Sequence, residues 1–340
     1  MVEFLIVPLI KIIIILAFII AGVILYIWFE RRVWGFIQTR LGPNRVGPFG
    51  LLQLIADTVK LLIKEDIIPY RADRFVFNIA PIIVIVPVIV VFGLIPFGEG
   101  IKIFGIDFKF YLANTNVALL FVVAFSSLAV FGIILGGWAS NSKYPLLGSL
   151  RSASQMISYE VALGLSIVPI LFFSKSLSLV DIVNSQKEMG VWFVFLQPIA
   201  FFVFFIAGVA ETNRTPFDLP EAESELVGGF HTEYSGIKFA FFFLAEYVHI
   251  FLVSALVTIL FFGGWLRPFP SIKFLSFLDV IPGPLWFLLK LCFFLFLFTW
   301  IRGTFPRYRY DRLLELSWKG LIPLSLANLI VTSFIVLLVR

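Results

Sequence analysis

The sequence predicts an all-α polytopic membrane protein with about eight transmembrane helices, one amphipathic helix at the interface and ordered loops on one side. Three observations carry that expectation. Hydrophobic residues make up 60% of the chain and charged residues only 14%, so lipid rather than water must solvate most of its surface. Apolar runs near the ~20 residues needed to cross a bilayer recur along its whole length. Between them lies no polar stretch long enough to build a soluble core, so residues 1–340 read as a single membrane domain.

The first apolar run, residues 4–29, has no positively charged leader and is too long for a signal-peptide core, which makes it a retained span. It is expected to stop at Glu30-Arg31-Arg32. The following loop, 30–74, carries RLGPNRVGPFG, whose Gly and Pro residues mark tight turns. Within that loop, residues 50–64 place Gln53, Asp57, Lys60 and Lys64 on one side and Leu51, Leu52, Ile55, Val59, Leu62 and Ile63 on the other. This is a short interfacial helix, not a span. Further spans fall near 75–96, 116–138, 156–174, 191–210, 237–262, 284–301 and 320–339, several with prolines that neighbouring helices can accommodate. No internal repeat is visible.

Lys and Arg fix the expected orientation. Loops 30–74, 139–155, 211–238 and 302–319 hold 17 of them and the opposite loops and tail hold 7, which puts the first set in the cytoplasm and both termini outside. The lone Cys292 cannot hold an iron–sulfur cluster and two histidines are few for a haem, so the chain is expected to carry no flavin, cluster or metal of its own.

Acids inside this apolar frame need an explanation. Residues 211–236, ETNRTPFDLPEAESELVGGFHTEYSG, gather Glu211, Asp218, Glu221, Glu223, Glu225 and Glu233 between two spans, with Arg214 their one basic residue. Asp218-Leu-Pro-Glu221 also reads as a capping box, which accounts for two of the six without any further duty. The others sit among Phe217, Leu226, Val227, Phe230 and Tyr234, a mixture that suits a loop packed on a partner. Tyr234 and His231 are either donors to a ligand or satisfied buried residues. Glu160 and Glu246 lie within spans, with His249 on the same face as Glu246, and intramembrane acids point by default to ion handling. The alternative is a buried acid that only locks helix packing. Lys290, nearer a span end, is either a functional charge or a snorkelling one, Lys11 is expected to snorkel, and an interfacial ion pair with Arg31 accounts for Glu30.

The island, together with ERRVWGFIQTRLGPNRVGPFG (30–50), ADTVKLLIKED (56–66) and SYEVALGL (158–165), resembles the quinone-chamber membrane subunit of respiratory complex I, which is the H-type chain in bacteria and subunit 1 in mitochondria. The resemblance spans essentially the whole chain. It implies a bacterial inner-membrane subunit of a proton-translocating NADH:quinone oxidoreductase. Quinone would enter between the first span, the sixth span and the amphipathic helix, and the electron donor would lie in partner subunits. Those partners are soluble iron–sulfur and quinone-site subunits of the peripheral arm, small membrane subunits and antiporter-like subunits of the membrane arm. By motif position the resemblance assigns Glu211, Asp218, Glu221, Glu223, Glu225, Glu233, Glu160 and Glu246 to proton coupling, and Glu30, Arg31, Arg40, Asp57, Arg214 and Phe217 to the quinone chamber and its entrance. The related subunit of a membrane-bound hydrogenase, and a stand-alone ion-coupled transporter, are the other readings open to the sequence.

Overall fold

The computed structural model describes residues 7–103, 106–108, 110–218, 227–269 and 273–339. Its first helix, α1 (Val7–Ile37), runs 31 residues without a break. At 1.5 Å per residue that is about 46 Å, well beyond a hydrocarbon layer of ~30 Å. The expected stop at Glu30-Arg31-Arg32 is overturned. Glu and Arg are good helix formers, and here each finds a partner on another segment. The loop that follows folds back on α1: Trp28 Nε1 and Arg32 Nη1 donate to the Phe49 carbonyl at 3.0 and 3.1 Å. Gly50 makes this return possible, because its φ is +76° and a Cβ there would lie 2.2 Å from the Pro43 carbonyl oxygen.

The amphipathic helix is α2 (Gln53–Ile63). Helix α3 (Arg74–Val91) starts at Asp73, whose Oδ1 accepts from Phe75 N and Val76 N, and it carries Pro81 and Pro87 internally. A small antiparallel hairpin, β1 (Ile101–Ile103) with β2 (Ile106–Phe108), is the one departure from helix among the described residues. Helix α4 (Ala118–Ala139) packs on α3, and α5 (Lys143–Ser174) packs on α4. Most of the expected loop 139–155 is therefore the start of a 32-residue helix. Ser149 and Ser152 are wholly buried there, so this stretch packs inside the bundle instead of forming an exposed loop.

Helix α6 (Leu179–Met189) is capped by Ser178 and closed by Gly190 in the left-handed region. The span expected at 191–210 is broken into α7 (Phe193–Leu196) and α8 (Pro198–Glu211). Pro198 offers no backbone donor, and the Gln197 carboxamide is held by Asn328 and Thr332. With 14 residues, α8 is about 21 Å long and does not cross a bilayer alone. Helix α9 (Gly236–Phe261) is the pillar of the fold: 83% of its apolar stretch is buried, against 17% for α1, which is peripheral. Helix α10 (Gly283–Thr304) packs beside α9. The loop expected at 302–319 shrinks to residues 305–309. Beyond it α11 (Tyr310–Glu315) runs through a π-helical turn, Leu316–Leu321, into α12 (Ile322–Val339). Seven of the described helices are long and apolar enough to cross a membrane, and α7–α8 forms the broken eighth.

Candidate functional site

Buried charge is concentrated along the first half of α9. Glu246 accepts from Arg214 Nη2 at 2.9 Å, with both side chains nearly buried. The Arg214 guanidinium also lies 4.4 Å above the Tyr247 ring, so an aromatic face shares in stabilising the cation. One turn on, His249 Nε2 stands 3.3 Å from Glu211 Oε1 at the end of α8. Glu160, midway along α5, lies within electrostatic range of both Glu211 and His249, and its Oε1 has no hydrogen-bond partner among the described residues.

On the other side of Tyr247 the charges continue. Its hydroxyl donates to Glu30 Oε2 at 2.6 Å, and Arg302 Nη1 donates to Glu30 Oε1 at 2.8 Å. Glu30 is thus a buried carboxylate 3% exposed, held by a residue 272 positions away and not by its neighbour Arg31. Arg31 reaches outward instead, to Asp57 Oδ2 of α2 at 2.7 Å. Partial burial works against ionisation of Asp57, but the hydrogen bonds from Arg31 and Gln53 and the charges of Arg31 and Lys60 outweigh it. They hold the carboxyl below the usual range. The resulting file runs Asp57–Arg31, Glu30–Arg302, Tyr247, Arg214–Glu246, Glu211–His249, Glu160, from the interfacial helix to the middle of α5.

Beside this file, α1, α9 and α10 enclose an apolar groove of about 430 Å³ lined by Leu25, Phe29, Phe251, Leu288 and Cys292. Tyr26 joins the two features: its ring lines the groove and meets the Tyr247 ring edge-on at 5.8 Å.

The remaining expected residues scatter. Asp218 pairs with Arg307 at 3.1 Å, while Glu221, Glu223 and Glu225, and with them the capping box, lie outside the described residues. Glu233 is half-buried before α9 and makes no ion pair among the described residues. Arg40 is exposed and turned to Gln38. Phe217 is buried, stacked on Tyr308 at 5.6 Å. Tyr234 stacks on Phe77 at 4.0 Å and gives its hydroxyl to the Phe77 carbonyl, so it is a satisfied buried residue, and burial pushes its phenol upward. Lys290 does not snorkel: its Nζ donates to the carbonyls of Phe262, Gly264 and Leu266. Arg302, Tyr247 and Tyr26 belong to the site without having been expected there. Tyr247 adjoins Glu246 in sequence, which was a usable signal; for Arg302 the sequence holds none.

A family model described as NADH dehydrogenase matches residues 10–333. Among curated relatives, the second H-type subunit of NADH-quinone oxidoreductase in Rhizobium etli is 55% identical over 90% of this chain and 87% of its own length. The H-type subunit of Geobacillus kaustophilus is 52% identical over 95% and 90%, and the first of those in Geobacter metallireducens 51% identical over 91% and 90%. Identity at that level across nearly the full length of each protein leaves one conclusion: this multi-pass membrane chain belongs to the family of H-type subunits of NADH-quinone oxidoreductase.

Proposed function

We propose that this chain guides quinone from the bilayer to a reducing centre in partner subunits, and that its buried charges form the first section of a proton path. The observation that carries this reading is the succession of paired ionisable groups from Asp57 to Glu160 beside an apolar groove. Such a groove suits an isoprenoid tail, which binds by burial of hydrocarbon. Quinol formation takes up two protons and changes local charge. Glu30, Glu246 and Glu211 are each paired with a cation or a ring, so a charge change in the chamber can pass from one pair to the next.

In this reading the soluble iron–sulfur and quinone-site subunits cover the face bearing Asp57, Arg31 and the 211–236 segment, and small and antiporter-like membrane subunits receive the proton signal beyond Glu160. The excess of Lys and Arg on the loops of that side supports a cytoplasmic face with the termini external, in a bacterial cell membrane. Purification of the tagged chain from native membranes in mild detergent tests the reading. Co-purifying inhibitor-sensitive NADH:quinone activity supports it. A chain isolated with nickel and hydrogenase activity, or one that transports ions alone in liposomes, overturns it.

A further inference from the structure

His249 is the one ionisable residue of the charged file that no role above accounts for. It is 5% exposed, and Glu211 Oε1 is its ionic neighbour at 3.3 Å. Next to it lies a small cavity of about 20 Å³ whose lining includes Val84, Ala129 and Met156 together with Glu211, Asn213, Glu246 and His249. That volume fits a single water molecule, which needs two to four polar partners to be stable. The polar wall offers four. Asn213 is 3% exposed, and its Oδ1 has no hydrogen-bond partner among the described residues, although its Nδ2 donates to Ser152. A buried acceptor left this way is costly, and a water in the cavity removes that cost.

We propose that His249 is a proton-holding member of the file, and that one water in this cavity links it to Glu246 and Asn213. The charged groups facing His249 are Glu211 from α8, Glu246 from its own helix, Arg214 from the α8 connection and Glu160 from α5; α3 and α4 contribute only apolar side chains to the cavity. The Glu246–Arg214 pair is neutral overall. The Glu211–His249 pair exists either as carboxylate with imidazolium or as carboxylic acid with imidazole. Passing one proton from His249 Nε2 to Glu211 Oε1 interconverts them without changing the pair's net charge. Internal transfer therefore costs little buried charge, while uptake of one further proton leaves a net positive pair facing Glu160. His249 is the one group here whose two ring nitrogens can hold a proton on one side while releasing one on the other.

This proposal rests on the proton-path reading, and three variants of the whole complex in native membranes separate the two. The measurement is NADH:quinone activity and proton pumping from about pH 6 to pH 8, normalised to assembled complex. The wild-type rate should change across that window, and His249→Gln, which keeps a hydrogen-bonding side chain but cannot titrate there, should reduce the change about threefold or more. Ala129→Val, which narrows the cavity and leaves every ionisable group in place, should flatten the profile in the same way. His249→Asn substitutes if the Gln variant does not assemble, and Ala129→Cys, which also fills part of the cavity and should also flatten the profile, substitutes if the Val variant does not. A wild-type profile in His249→Gln overturns the proposal. A flat profile in His249→Gln with a wild-type one in Ala129→Val overturns the water link. Glu211→Gln is the control: normal pumping in that variant refutes the proton-path reading itself, whereas lost pumping there with an unchanged His249→Gln profile refutes only the role of His249.

Discussion

Glu246 and His249, in the first half of α9, face ionisable partners, whereas Lys290, packed against the far end of the same helix, is held by backbone carbonyls. The two regions are similarly buried. At the far end α9 stops at Phe261, and the turn through Gly263 and Gly264 leaves carbonyls with no helical donor. Lys290 Nζ donates to three of them at 2.6–2.9 Å and sits 4.6 Å from the Trp192 ring. That cation completes a helix terminus. It has no acidic neighbour among these contacts with which to exchange a proton. At the other end every charge meets another charge or a titratable ring. An intramembrane charge is thus a weak functional signal by itself, and the chemistry of its partner decides whether it holds structure or moves protons.

The comparison is most severely tested at Lys290. Lys290→Met leaves three carbonyls without their donor, a loss of roughly 3 kcal/mol or more, and assembled complex in the membrane should fall about tenfold at every pH. If Lys290→Met assembles normally and loses only pumping, the far end belongs to the proton path and the contrast collapses.

Arg214→Met should come next. It strands Glu246 beside a buried aromatic ring at a cost of about 3–5 kcal/mol. The double variant Arg214→Met/Glu246→Gln should recover much of the assembly, because it removes the stranded charge, but not proton pumping. Blue-native gels and a pumping assay read the two effects separately, and equal loss of assembly in the single and double variants would mean that Arg214 acts through packing alone.

Glu160→Gln is expected to be mild for stability and severe for function. Its Oε1 has no partner to lose among the described residues, so thermal inactivation should shift by no more than about 1 kcal/mol while pumping falls. Unchanged pumping would return Glu160 to a packing role.

The smallest effect belongs to Arg31–Asp57, which is partly exposed and worth about 0.2–1 kcal/mol. Because the folded Asp57 value is depressed, its contribution is complete above the ordinary Asp value near 4 and is lost only as pH falls through the lower, folded one. Arg31→Gln should therefore leave the shape of the activity profile between about pH 6 and pH 8 unchanged.

The same distinction explains what could be read from the sequence. Composition and run length located the spans, and the spacing of Gln53, Asp57, Lys60 and Lys64 located α2, because both are local patterns. Glu211, Glu160 and Glu246 stood out as acids in apolar surroundings. What escaped was set by distant partners. Glu30 looked like half of a pair with its neighbour Arg31, but Tyr247 and Arg302 claim it from 217 and 272 positions away. The break at Gln197 depends on Asn328 and Thr332. Lys290 read equally well as a snorkelling lysine because the carbonyls it serves lie in a turn whose geometry no local pattern announces.

The most direct test of the idea that the buried file carries protons is the rate of NADH-driven proton pumping by the purified complex in liposomes with Glu211→Gln. The substitution keeps the size of the side chain and a hydrogen-bonding partner for His249. The account predicts a fully assembled complex whose quinone reduction and pumping both fall about tenfold or more, as loss of roughly 1.4 kcal/mol or more of coupling requires. An assembled variant that pumps at the wild-type rate would contradict it.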